Sequence, residues 1–212
     1  MINLLIADDH AIVREGIKKI IALSKDILVE ADAVDGPGVM EKLTDNGKFD
    51  LLLLDLTMPG VVGTSLISQV KASFPQLPIL VFSMHNDAQV ASRAIKAGAS
   101  GFVAKDSDPE VLLDAIRRVA GGGKYIDQSI AEQLAFDSLL PDQRAPHAML
   151  SSREFEVFSL VVMGKRINDI AEILNISNKT VSTHKLNLMV KMKLTNTADL
   201  IRYSVDHNLF PG

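Results

Sequence analysis

The chain has no cysteine among its 212 residues, which rules out disulfides and any metal site built on thiolates. No apolar run reaches the roughly 20 residues that a membrane-spanning helix needs. The N-terminus carries no basic stretch ahead of an apolar one, so no secretory leader is expected. Internal repeats and low-complexity tracts are missing as well. With 47% apolar residues there is ample material for packed cores, and disorder as the overall state is excluded. These absences describe a soluble, cytoplasmic protein without a membrane segment.

What is present divides along the chain. The formal charge is −4, but residues 1–122 and 123–147 are each net acidic whereas 148–212 is net basic. A change of sign of this kind points to two domains with different partners. Through residue 120, short apolar runs alternate with amphipathic segments. Strands are expected near 3–7, 27–33, 50–55, 77–83 and 101–104, and helices near 10–23, 36–46, 63–73, 88–97 and 108–120. Strict alternation implies right-handed crossovers and a five-stranded parallel sheet covered on both faces, an α/β domain over 1–122. Asp108 and Pro109 mark the start of the fifth helix, and Gly121 to Gly123 its end.

Residues 123–147 read as a linker between Gly123 and the Pro141 and Pro146 region, with room for a short helix from Ser129 to Leu140. Strand signals then vanish, and four helices are expected near 152–163, 167–174, 178–193 and 196–207. Ser151 and Glu154 have capping-box spacing. Gly164 and Asn175 suit left-handed helix ends, and Ser177 suits an N-cap.

Three of the apolar strands end in charge: Leu4-Leu5-Ile6-Ala7 in Asp8-Asp9, Leu51 to Leu54 in Asp55, and Phe102-Val103-Ala104 in Lys105. In parallel sheets the carboxyl ends of the strands line the ligand crevice, so these charges share one pocket. Three carboxylates a few ångströms apart repel one another by several kcal/mol unless offset. Lys105 supplies one positive charge and a hard divalent cation such as Mg²⁺ the other two. Asp55 is then a nucleophile suited to phosphoryl transfer, and Ser83, at the end of Ile79 to Phe82, is a hydroxyl placed to follow the phosphoryl oxygens. His10 has no second histidine or cysteine nearby and reads as a polar helix-start residue.

In the tail, Ile170 to Leu174, a turn at Asn175-Ile176-Ser177, and the segment from Asn178 read as helix-turn-helix. Lys179, Lys185, Lys191 and Lys193 fall between 177 and 194 with no acid. Val181, Leu188 and Met192 form a core face, which leaves Lys179, Ser182, Thr183 and Leu186 elsewhere on the helix. Such a helix can lie in the major groove of DNA.

These residues carry a resemblance. Asp8-Asp9-His10, Asp55-Leu56-Thr57-Met58-Pro59-Gly60, Ser83, Ala97 to Phe102 and Lys105 resemble the receiver domain of two-component response regulators. The tail, through Leu150 to Glu154, Gly164, Asp169-Ile170-Ala171, Ile176-Ser177, Lys179-Thr180-Val181 and His184, resembles the NarL/FixJ (LuxR-type) helix-turn-helix domain. The resemblance implies a flavodoxin-like receiver followed by a four-helix DNA-binding domain over 148–212. It further implies a transcription regulator, not an enzyme, in which a sensor histidine kinase or phosphodonor phosphorylates Asp55. Asp8 or Asp9, Asp55 and the Thr57 carbonyl would hold Mg²⁺, and Phe102 would move with Ser83. For double-stranded DNA it implies Ser182 and Thr183 toward bases, Lys179 and Thr180 toward phosphates, and His184 in a structural or backbone role, with Lys185 and Leu186 on the same helix. The resemblance also implies dimers paired through the last helix, where Leu200, Ile201, Tyr203, Ser204 and Val205 would form either that surface or part of the domain's core. The chain departs from the family at Met84, where a small residue is common, at Arg166-Ile167-Asn168, which weakens a helix cap, and at Leu186, where a basic or polar base reader is frequent. His85 stands where side chains influence dephosphorylation. Two rival readings are a Mg²⁺-dependent phosphatase, which would need a second carboxylate where Thr57 stands, and a pseudo-receiver whose tail binds protein.

Overall fold

A computed structural model describes residues 1–46, 48–58, 64–84, 88–139, 145–207 and 209. Pro59, Gly60, His85 and Pro141 lie outside the described residues. Contacts divide the chain into two units, Met1–Ala131 and Glu132–Gly212.

The first unit alternates β1 (Ile2–Ala7), α1 (Ala11–Ala22), β2 (Ile27–Ala33), α2 (Gly36–Asn46), β3 (Leu51–Leu54), α3 (Thr64–Ser73), β4 (Ile79–Ser83), α4 (Ala88–Lys96), β5 (Gly101–Ala104) and α5 (Pro109–Ala120). All strand pairings are parallel, in the order β2-β1-β3-β4-β5-β6, where β6 is Tyr125–Ile126. Successive side chains point to opposite faces of a strand. Leu4, Ile6, Leu51, Leu53, Leu80, Phe82 and Val103 therefore pack on one side, against Ile17 and Ile21 of α1 and Leu112, Ile116 and Val119 of α5. Their alternates Leu5, Leu52, Leu54, Val81 and Phe102 are equally buried on the other side. Burial on both faces is why these strands read as unbroken apolar runs.

A sixth strand extends the expected five. β6 (Tyr125–Ile126) pairs with β5, Tyr125 opposite Gly101 and Ile126 opposite Phe102. A Cβ on Gly101 would stand 2.7 Å from the Tyr125 carbonyl oxygen, so this close approach requires glycine. The stretch expected to be linker thus contributes β6 and α6 (Gln128–Leu139). Pro109 opens α5 as expected, but the Asp108 side chain makes no capping hydrogen bond.

The second unit has a 3₁₀ turn at Pro146–Met149, then α7 (Ser152–Val162), α8 (Ile167–Leu174), α9 (Asn178–Met192) and α10 (Thr197–Asp206). Its core joins Val157, Phe158 and Leu160 of α7 to Ile170 and Leu174 of α8, Val181, Leu188 and Met192 of α9 and Leu200 of α10. The Ser151 hydroxyl accepts from Glu154 N at 3.3 Å, while Glu154 Oε2 accepts from Ser151 N at 2.7 Å. Gly164 and Asn175 take the left-handed conformation at φ 76° and 51°. At Arg166 the cap has only one half, Asp169 Oδ2 accepting from Arg166 N at 3.1 Å.

Candidate functional site: an acidic strand-end pocket and a basic helix

Register brings the charges together. Ala7 lies opposite Leu54 and Ser83 opposite Ala104, so the next residues, Asp8, Asp55 and Lys105, emerge at the same end of neighbouring strands. Asp55 N donates to Ala7 O at 2.8 Å, and Lys105 N to Ser83 O at 2.8 Å. The crevice lies where the chain order reverses, between β1 and β3, which is where parallel sheets bind ligands.

Asp8 and Asp55 are 1% and 3% exposed, and Lys105 Nζ sits between them, 2.6 Å from Asp8 Oδ2 and 2.9 Å from Asp55 Oδ2. The Asp55 contact is a hydrogen bond, whereas the Asp8 contact is an ion pair that leaves Oδ2 without a hydrogen-bond partner. Thr57 embraces the same carboxylate: its hydroxyl donates to Asp55 Oδ2 at 2.8 Å and its N–H to Oδ1 at 3.2 Å. Attraction across such short pairs is of the order of several kcal/mol at an effective dielectric near 20, and desolvating each buried ion costs about as much. The pocket therefore adds little net stability, and its value lies in chemistry.

Asp9 Oδ1 is also buried without a hydrogen-bond partner, although His10 Nδ1 lies 2.9 Å away. His10 N donates to Asp8 Oδ1 at 2.8 Å, and the ring contacts that oxygen at 3.3 Å. Donor atoms of Asp8, Asp9, His10 and Asp55 all lie within 4.8 Å of one another. Buried carboxylate oxygens that accept no hydrogen bond and a net charge near −2 fit a hard divalent cation such as Mg²⁺. The imidazole stands nearer this cluster than a simple helix-start residue would.

Arg14 was not singled out by sequence. Its Nη1 donates to Asp8 O at 2.8 Å and its Nε to Asp32 Oδ2 at 3.0 Å, which anchors the backbone behind the acids. Burial pushes the Asp32 carboxyl up, but Lys18 and Arg14 together hold it below the usual carboxylate range. Ser83 is fully buried at the end of β4, and Phe102, two residues from Ala104 on β5, lies on the same face of the sheet. Met84 is 60% exposed.

In the second unit Ser177 caps α9, its hydroxyl accepting from Thr180 N at 3.1 Å. Asn178 Nδ2 donates to Asn168 Oδ1 at 2.9 Å, tying α9 to α8. Lys179, Ser182, Thr183 and Leu186 are exposed, while Thr180, His184 and Lys185 are half-buried. The Thr183 hydroxyl donates to Lys179 O at 2.9 Å, so it is committed to its own helix. Lys191 is likewise engaged, 2.6 Å from Glu154 Oε2. Burial pushes the Glu154 carboxyl up, but Lys191 and the Ser151 donors outweigh it and hold the carboxyl below its ordinary value. A depressed pKa gives stability that is complete above the unfolded-state value and is lost as pH falls through the folded one. Resistance of the helical unit to urea should accordingly fall on going from about pH 5 to pH 3, and Glu154→Gln should flatten that dependence.

On α10, Leu200 and Ser204 are core residues, and Tyr203 is held by His147, whose Nδ1 lies 2.8 Å from the Tyr203 hydroxyl. Ile201 and Val205 stay 41% and 67% exposed.

Comparison with known proteins finds relatives for both parts of the chain. The model of the response regulator receiver domain matches residues 4–117, and that of the luxR family of bacterial regulatory proteins matches 148–204. The chain is 31% identical over 210 residues to the response regulator UvrY of Escherichia coli K12, covering 99% of this chain and 96% of that protein. It is 35% identical over 218 residues to the oxygen regulatory protein NreC of Staphylococcus epidermidis, with 98% of each covered. RcsB of Salmonella enterica serovar Typhimurium, solved bound to the promoter rprA with the phosphomimetic BeF₃⁻, superposes with a TM-score of 0.80 at 30% identity, over 95% of this chain and 97% of that one.

Proposed function

The chain belongs to the NarL/FixJ family of two-component response regulators, with a receiver domain and a LuxR-type DNA-binding domain, and from that premise we propose that Asp55 is the phosphoacceptor that controls DNA binding. The observation that carries this is the buried Asp55 carboxylate at the end of β3, clasped by Lys105 and Thr57 beside the carboxylates of Asp8 and Asp9. Residues 1–122 act as receiver, 123–147 as linker and 148–212 as the DNA-binding domain.

An Asp55 oxygen attacks phosphorus of a sensor kinase's phosphohistidine or a small phosphodonor; the donor's bond to phosphorus breaks as the acyl phosphate forms. Asp8, Asp9, Asp55 and the Thr57 carbonyl would hold Mg²⁺, which when bound would supply positive charge to the phosphoryl oxygens. Lys105 gives up its bond to Asp55 and follows a phosphoryl oxygen, and the Ser83 hydroxyl follows another. Phe102, on the same face of the sheet, repacks with Ser83. The phosphate biases an equilibrium between two arrangements that exists without it. Thr57, standing where a phosphatase needs a second carboxylate, supplies a hydroxyl donor and no general acid, so we assign no steady turnover of phosphoesters.

In the cytoplasm α9 enters the major groove of double-stranded DNA, with Lys179, Thr180, His184 and Lys185 toward the backbone and Ser182, Thr183 and Leu186 toward bases. Among the described residues no helix is long and apolar enough to cross a membrane. A homodimer, paired through Ile201 and Val205 on α10, reads half-sites about one helical turn apart. Lys179→Ala or Lys185→Ala should weaken binding to every sequence and reduce the slope of log K against log salt by about 1. A pseudo-receiver with a protein-binding tail would show no such salt slope.

A further inference from the structure

The outward face of α9 is apolar at its centre. A helix turns by about 100° per residue, which sets Leu186 and Val190 opposite the buried Val181, Leu188 and Met192, and both are exposed, at 65% and 69%. Thr183 is three residues from Leu186, and Val190 four, so the three are surface neighbours. Because the Thr183 hydroxyl donates its proton to Lys179 O, toward a base it can only accept, and its methyl remains for apolar contact beside Leu186. Lys179 and Ser182 share the same face. The lysines around this patch, with no acid between residues 177 and 194, suit a polyanion and not an apolar protein partner. The apolar group that a polyanion presents in its major groove is the 5-methyl of thymine.

We propose that Leu186, with the Thr183 methyl beside it, recognises thymine methyl groups, so that operator choice depends on them. This rests on the DNA-binding reading of α9 and adds what that helix reads. Leu186 brings no hydrogen-bonding group, so a purine edge at its contact gains nothing from it, whereas each methyl it covers is removed from water.

The full-length protein, treated with acetyl phosphate and Mg²⁺, is used to select duplexes from a random pool. In the selected duplex each thymine is then replaced in turn by deoxyuridine, which lacks only the methyl. One or two replacements should weaken wild-type binding about three- to fivefold, the amount expected for one buried methyl. The same replacements should leave Leu186→Ala binding unchanged, and Leu186→Lys should shift selection toward guanine. No loss at any thymine, or equal losses in wild type and Leu186→Ala, would overturn thymine recognition while leaving DNA binding in place. If no sequence is enriched and Lys179→Ala holds the pool as well as wild type does, the DNA-binding reading beneath it fails.

Discussion

Asp55→Asn protein takes up no phosphoryl group from acetyl phosphate and Mg²⁺, whereas the wild-type chain is labelled once. The amide keeps the shape of the carboxylate, and its oxygen still accepts from Lys105 and Thr57, which reach Asp55 Oδ2 at 2.9 and 2.8 Å. The fold is therefore retained, with one hydrogen bond given up where Thr57 N–H met Oδ1 at 3.2 Å, and the nucleophile is lost. The substitution also removes one of three negative charges. A unit charge about 4 Å from a unit cation contributes roughly 4 kcal/mol at an effective dielectric near 20, and the loss of even a third of that lowers Mg²⁺ affinity about tenfold. Intact mass reports the labelling and isothermal titration the metal. Undiminished labelling of Asp55→Asn would place the acceptor elsewhere.

Lys105→Ala produces the opposite response to metal. Its side chain is 4% exposed and its ammonium bridges Asp8 and Asp55, and removing one partner of a buried ion pair costs about 3–5 kcal/mol. Against a total stability of about 5–15 kcal/mol, the receiver of this variant melts far lower in chelator. Two buried carboxylates without their lysine bind a divalent cation more strongly, and a ligand that binds only the folded state stabilises it in proportion. Thermal unfolding in chelator and in Mg²⁺ should thus show a larger metal-induced shift in Tm for Lys105→Ala than for wild type, and a smaller one for Asp55→Asn. Phosphoryl uptake by Lys105→Ala drops by orders of magnitude, since the cation that follows the transferring oxygens is gone. Equal metal shifts in all three proteins would remove the charge argument for the pocket.

The acid pocket was legible because a strand buried on both faces is an unbroken apolar run, which makes the charge at its end conspicuous. Asp8, Asp55 and Lys105 stand out in this way, and the register of β1, β3 and β5 joins them. Capping residues were equally legible, since Ser151, Ser177 and Asn175 act within a few residues of themselves. Contacts between distant segments were not. The grip of Arg14 on the Asp8 carbonyl needs α1 to be docked on the sheet, and the bridge from Glu154 to Lys191 spans 37 residues. β6 was hidden for another reason: two residues are too few to show a period of two. The one local sign of it was Gly101, inside a strand and pressed against Tyr125. On α9 the resemblance implies Thr183 toward bases, and the bond from its hydroxyl to Lys179 O, which narrows what it can offer a base, forms only in the folded helix.

The central claim, that the charge state of Asp55 governs the basic helix, is tested most directly by footprinting on genomic DNA. Wild-type and Asp55→Asn proteins are compared, each with and without acetyl phosphate and Mg²⁺. Occupancy of a defined set of sites should rise with phosphodonor for the wild type and stay at the untreated level for Asp55→Asn. The same sites occupied to the same extent in all four samples would contradict it.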